Sequence, residues 1–309
     1  MRNTLIQVSP TRPRSSIRRG FSIVEFVVLL GILLVLVSIF VPYIGKVRES
    51  EHRAQCMDNL RKFGRALAYY ADNNEHMLPS VVYDSAKRPN GYTTFTGADD
   101  PNPFAPDSTV LPNDVTASLF LLVREGYISS GHEAGLNMFI CPSSDGVADS
   151  LVNAKGESVS NTQRSNFRAG IHLSYSYCCP FSGALKFRMN TDWISSDFAV
   201  MADQSPGVGN GSDVTGPPYG SAPLEMSKAN SNNHNRSGQN VLYGDGHVAF
   251  TSTPFCGVEG DNIYTVAAPM PTTAESTGPS LRSTGFFGRR YGPSSWGDSY
   301  LVPSENDRD

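Results

Sequence analysis

After a polar, arginine-rich start, residues 21–44 form a single apolar run, FSIVEFVVLLGILLVLVSIFVPYI, in which Glu25 is the only ionisable side chain before Tyr43. At 1.5 Å of rise per residue this run spans roughly 36 Å as a helix, enough for a hydrocarbon core of about 30 Å. Beyond it the pattern turns amphipathic. Cys56, Leu60, Phe63, Leu67 and Tyr70 recur at helical spacing, and Arg53, Asp58, Arg61, Lys62 and Arg65 fill the other face. The spacing predicts one helix from near Ser22 to near Asp72, stopped by Asn73, Asn74 and Pro79. Residues 21–44 would lie in a membrane, and residues 45–75 would lay an apolar stripe on a head formed by 76–309.

In the head, five prolines between residues 84 and 114 predict a long surface loop, and Thr116 to Arg124 (TASLFLLVR) a short amphipathic helix. Ile171 to Cys178 alternates apolar and polar residues, Phe198 to Ala202 is a short apolar run, and Asn240 to Phe250 reads as a hairpin turning at Gly244-Asp245-Gly246. Ser299 to Val302 is a candidate closing strand. Gln204 to Pro223 reads as a flexible loop, and the stretches Ser276 to Asp298 and Ser304 to Asp309 as a loop-rich tail. The expected fold class is α+β, a long helix against an antiparallel sheet. No repeat of the solenoid or propeller kind is visible.

Charge sharpens this division. The net charge of −4 over 309 residues conceals five arginines and no acid in residues 1–20, so the rest carries 20 basic against 29 acidic side chains. Arginines ahead of the apolar run predict a cytoplasmic N-terminus with the head outside, and an acidic head argues against nucleic acid as a partner. A cleaved secretory signal has a shorter apolar core ending in small residues. Here the run continues into Pro42, Tyr43 and Lys46, so a retained anchor is expected. Glu25 is then anomalous, since a carboxylate near the middle of a membrane helix costs on the order of 2.5–3.5 kcal/mol and calls for a partner.

Arg18-Arg19-Gly20-Phe21-Ser22-Ile23-Val24-Glu25 with the apolar run behind it closely resembles the type IV prepilin processing signal. The resemblance implies a leader, 1–20, removed by a prepilin peptidase after Gly20, N-methylation of Phe21, and pairing of Glu25 with the terminal amine of a neighbouring subunit. It also implies a pilin-like lollipop built on one curved helix, which gives Gly31 and Pro42 a use as helix-weakening positions.

A second resemblance lies at 231–250. His234 to Gly246 (HNRSGQNVLYGDG) is similar to the His-to-Asp-Gly signature of a prepilin-processing-associated domain abundant in planctomycete-type bacteria, with ten intervening residues here where nine are common. His234, Asp245 and His247 form a candidate ligand set for zinc or a similar ion, and Asp203 or Asp213 offer loop oxygens suited to calcium. The rival expectation needs no metal: Asp245 caps its own turn, Gly246 supplies positive φ, and His247 faces solvent. No other cofactor is expected.

Five cysteines, Cys56, Cys141, Cys178, Cys179 and Cys256, leave at least one unpaired within the chain. Cys56 on the helix stripe reads as a small core residue, and a bridge from Cys141 to Cys178 or Cys179 is one candidate. The chain has no GxSxG, HExxH, Walker or dinucleotide motif, so no enzyme is expected. The expected role is a pilin-like or pseudopilin subunit of a type II secretion or type IV pilus-like filament. Such a subunit is single-pass in the inner membrane, has its head in the periplasm or at the cell surface, and takes the prepilin peptidase, membrane lipid and like subunits as partners. The alternative is a membrane-tethered module that uses the same export route and binds a ligand or metal through the 231–250 hairpin.

Overall fold

The computed structural model describes residues 20–85, 91–129, 133–183, 189–267 and 285–308. Residues 1–19 of the expected leader 1–20, with their arginines, fall outside the described residues, as does the first part of the Ser276 to Asp298 stretch. The chain divides into two compact units, residues 1–48 and 49–309.

In the first unit the described chain is the opening of helix α1, Ile23–Asn73. Ser22 caps it: its Oγ accepts from the Val24 amide at 3.3 Å, and its own amide donates to Glu25 Oε2 at 2.9 Å. This reciprocal Ser-x-x-Glu arrangement satisfies two amides that a helix start leaves open. Glu25 therefore stands in the first turn, at the positive end of the helix dipole, and not near the middle of the apolar run as the sequence suggested. The helix continues unbroken through Gly31 and Pro42. Ile23, Leu30, Leu36 and Phe40 are all exposed, and the helix is long and apolar enough to cross a membrane.

Within the second unit, α1 buries the predicted stripe, Cys56, Leu60, Phe63, Leu67 and Tyr70, together with Ala66 and Ala71. It ends where the asparagines predict. Asn73 and Asn74 turn their side-chain amides back onto the carbonyls of Tyr69 and Tyr70, each at 2.8 Å. Glu75 and His76 then adopt positive φ and lead the chain away. Helix α2, Val115–Arg124, is capped by Asp114, whose carboxylate accepts from the Ala117 amide at 2.8 Å.

The strands, in chain order, are β1 (Tyr175–Cys178), β2 (Ala199–Asp203), β3 (Val208–Gly209), β4 (Ser212–Asp213), β5 (Gln239–Tyr243), β6 (Val248–Thr251) and β7 (Leu301–Val302). Five of them make an antiparallel sheet in the order β6-β5-β2-β1-β7, and β3 and β4 pair separately. Tyr175 faces Asp203 across β1 and β2, and Val241 faces Ala202 on one side and Ala249 on the other. The mixed α+β class and the hairpin are thus as expected. An aromatic chain runs from Phe63 through Phe139 and Phe167 to Phe120, with ring centroids 4.9–5.1 Å apart, and ties both helices to the head.

Three details depart from expectation, and a fourth, the course of the tail, is one the pattern leaves open. Gly170–His172 is a 3₁₀ turn, so β1 is shorter than predicted, and all four of its residues are buried. Its polar position is tolerated because the Ser176 hydroxyl donates to the Pro303 carbonyl and accepts the Ser205 amide. The 84–114 segment is not a free surface loop where described: Tyr92, Asp100, Asn113 and Asp114 are buried and hold it by side-chain hydrogen bonds. The Gln204 to Pro223 stretch contains the β3-β4 hairpin, and Gln204 and Ser205 are buried. The tail also folds into the head, since Ser304 caps a turn closed by Asp307, which in turn accepts from Tyr92.

Candidate functional site

Cys56 is a half-cystine joined to Cys141, not a lone core thiol, while Cys178 and Cys179 are buried and unbridged. The correction has a simple cause. The helix stripe that carries Cys56 faces the 140–144 segment, whereas Cys178 and Cys179 sit at the end of β1 beside β7.

Around this bridge the fold gathers polar groups from four places. One face of α1 offers Glu49, His52, Arg53 and Cys56, which follow the three- and four-residue spacing of helical neighbours. The segment after Phe139 offers Cys141 and Ser143, the end of β2 offers Asp203, and the turn before β5 offers His234. His234, Asn235 and Arg236 have φ of 58°, 55° and 58°, three successive left-handed residues of which none is glycine. That conformation costs roughly 1–2 kcal/mol per residue, so bonds elsewhere must hold it. Gly238 completes the turn at a position where a Cβ would stand 2.1 Å from the Thr251 carbonyl oxygen.

The turn drives the His234 ring inward, where it is wholly buried between two acids. Nδ1 lies 2.7 Å from Glu49 Oε1, and Nε2 lies 3.2 Å from Asp203 Oδ2. Asp203 Oδ2 also accepts from the Asn240 backbone amide at 2.7 Å and from its side-chain amide at 3.0 Å, which anchors the acid to β5. Arg53 lies 3.5 Å from Glu49, donates to Ser237 Oγ at 2.6 Å, and sits 4.5 Å over the Phe250 ring. Burial opposes a charged imidazole, but Asp203 and Glu49 outweigh it and hold the His234 pKa above its ordinary value. The raised pKa favours an imidazolium that faces a carboxylate at each nitrogen, and Arg53 places a second cation beside Glu49.

Ser143 Oγ is 3.1 Å from His234 Nδ1, which together with Asp203 supplies the residue types of a hydrolytic triad. The bonding differs. Glu49 holds Nδ1 at the shorter distance, and the Ser143 hydroxyl donates to Glu49 Oε2 at 3.1 Å and lies 3.3 Å from His52 Nδ1, so the serine is shared among Glu49, His52 and His234 rather than aligned on one His–Asp pair.

No protein-family model, curated protein or solved structure matches this chain.

The fold separates the three residues singled out as a ligand set. Asp245 and His247 lie in the exposed turn at the far end of β5 from His234, where Asp245 Oδ1 accepts from the His247 amide at 3.0 Å and from its Nδ1 at 2.5 Å. Those two bonds hold the Asp245 carboxyl below its ordinary pKa. The His247 ring stacks on Tyr243 at 4.5 Å, and Gly246 has φ of 86°. The turn therefore has the self-capped geometry that needs no ion. Asp213 forms a local turn with Thr215. Asp203, considered only as a loop ligand, is instead a buried partner of His234. Glu49, Ser143 and the Cys56–Cys141 bridge did not emerge from sequence reasoning. The one signal for them was the Glu49, His52, Arg53, Cys56 face of α1, just ahead of the apolar stripe.

Proposed function

We propose that the chain is a pilin-like subunit, held in a membrane by the first half of α1, processed after Gly20 and assembled through that helix into a secretion-type or pilus-like filament. The observation that carries this reading is Glu25: a lone carboxylate in the first turn of α1, in the otherwise uncharged apolar run 21–44 and directly behind Arg18-Arg19-Gly20. Its bond to the Ser22 amide suits the reading, because cleavage after Gly20 would leave an α-amine one residue away at Phe21. An amine and a carboxylate attract strongly in low dielectric, so the group that caps its own helix in one chain can also receive the amine of a neighbour. The buried stripe from Cys56 to Ala71 gives the head a firm hold on the same helix, as a subunit that transmits force along a filament needs.

Intact mass of the protein recovered from its native membrane tests processing. Loss of residues 1–20 with gain of one methyl group is the expected result, and a full-length mass in cells with an active prepilin peptidase overturns the proposal. Assembly is tested by Glu25→Ala, which should leave cleavage largely intact and abolish filament formation.

A further inference from the structure

The Cys56 and Cys141 sulfurs, a carboxylate oxygen of Asp203 and a ring nitrogen of His234 all lie within 4.8 Å of one another in a fully buried cluster. Donors on one tetrahedral zinc stand roughly 3–4 Å apart. Cys141 Sγ and His234 Nε2 are 3.6 Å apart, and His234 Nε2 and Asp203 Oδ2 are 3.2 Å apart, so two edges of such a tetrahedron already exist. The third irregular edge is the disulfide itself, and opening it lets the two sulfurs part to the roughly 3.7 Å that thiolates on one zinc adopt.

We infer that the reduced protein binds one zinc ion through Cys56, Cys141, His234 and Asp203, and that the disulfide is the metal-free state of the same site. Two further observations point the same way. Glu49 engages His234 at Nδ1, leaving Nε2 as the atom turned to the sulfur and to Asp203. This is the carboxylate–histidine–metal order in which an outer acid fixes the tautomer and orientation of a ligating ring. Asp203 Oδ1, moreover, is buried with no hydrogen-bond partner, an expense that a bound cation relieves. Two thiolates, an imidazole and a carboxylate suit a soft-to-borderline ion such as zinc better than calcium, which takes oxygen ligands.

The exchange balances. A dithiol reductant gives two electrons and two protons to the Cys56–Cys141 bond and is itself closed to a cyclic disulfide. Zinc then displaces the two thiol protons and the proton on His234 Nε2, while Nδ1–H remains donated to Glu49. Thiol–disulfide exchange with the oxidised, cyclic disulfide form of such a dithiol reverses the sequence: the two thiolates close to the Cys56–Cys141 bond, the oxidant takes up their two electrons with two protons and opens to a dithiol, and the ion is released. Cys178, Cys179 and Cys256 take no part, since none belongs to the cluster.

The test uses the full chain in detergent, before and after reduction by a phosphine, titrated with cobalt(II) as the spectroscopic probe and then with zinc. The expected result is one cobalt per chain in the reduced protein only, with tetrahedral ligand-field bands and thiolate charge transfer, both erased by zinc. Cys141→Ser should weaken the charge-transfer band, and Cys56→Ser combined with Cys141→Ser should lose it. Glu49→Gln should keep the spectrum but weaken affinity about 10–100-fold, as removal of an outer-shell acid does. Circular dichroism separates binding from folding. Reduced protein that stays folded without a thiolate–cobalt band overturns the site, as does reduced protein that unfolds and is not refolded by zinc. A band that survives the double substitution overturns it too.

Discussion

Nδ1 of His234 lies 2.7 Å from Oε1 of Glu49, although 185 residues separate them in the chain. The bond fastens the turn before β5 to α1 at the point where the helix enters the second unit. Glu49→Gln keeps the shape of the side chain but leaves the buried imidazole with one carboxylate instead of two. Glu49 is 16% exposed, so the loss falls below that of a fully buried pair, at about 1–3 kcal/mol. Urea unfolding of the oxidised protein checks this, and an unchanged midpoint would mean that Asp203 alone holds the ring.

The left-handed turn that presents His234 makes opposite demands on neighbouring positions. Asn235 is exposed, and its φ of 55° is one that glycine adopts freely. Asn235→Gly is therefore expected to stabilise the fold, by up to about 1 kcal/mol. Gly238→Ala must push a methyl into the Thr251 carbonyl and Phe250 ring and should destabilise by about 2 kcal/mol or more. Thermal midpoints of the two variants that move in the same direction would sink this account of the turn.

These residues also mark where sequence legibility ended. The limits of α1 were readable within a residue or two, because apolar spacing and the paired asparagines encode them locally. So was the Asp245-Gly246 hairpin, whose turn is stabilised by its own side chain. His234 was visible as a motif, but its partners Glu49, Ser143 and Asp203 arrive from three other segments, and no spacing in the chain records a contact made by folding. Cys56 shows the second limit. A half-cystine occupies a helix stripe as well as any small apolar residue, so periodicity reported its burial and was silent on its bond. The 84–114 segment shows the third: prolines and polar residues announce a loop, yet Asp100, Asn113 and Asp114 bury themselves by bonding to backbone amides and carbonyls.

Arg164 is the largest fully buried side chain, and every donor it offers is used: Asp149 at 2.9 Å, with carbonyls of Ala98, Val152 and Asn166 at 2.9–3.1 Å. Arg164→Met would strand the Asp149 carboxylate and three carbonyls, and should cost about 3–5 kcal/mol. Combining it with Asp149→Leu removes the stranded charge and should recover part of that loss. A double-mutant cycle in urea measures the coupling, and strictly additive losses would show that the pair is not a unit.

Asp298 and Asp261 give the head a pH dependence opposite in sign to that of a paired surface acid. Both are buried, and their acceptors meet backbone amides rather than cations: Asp298 takes those of Ser294 and Ala267, and Asp261 takes that of Ser299 at 2.8 Å. Burial pushes the Asp298 carboxyl up to about 6, and burial together with the neighbouring Asp298 charge raises Asp261 well above its ordinary value. The unfolded chain titrates near 4, so between about pH 4 and pH 6 the folded state binds more protons than the unfolded one. Stability from Asp298 is then fully present below pH 4 and falls as pH rises through 6, by roughly 2–3 kcal/mol. Asp298→Asn keeps the acceptor oxygen and cannot ionise, so its urea midpoint should gain on that of the wild type as pH is raised from 4.5 to 7. Parallel midpoint curves across that interval would show that Asp298 titrates as an ordinary solvated acid.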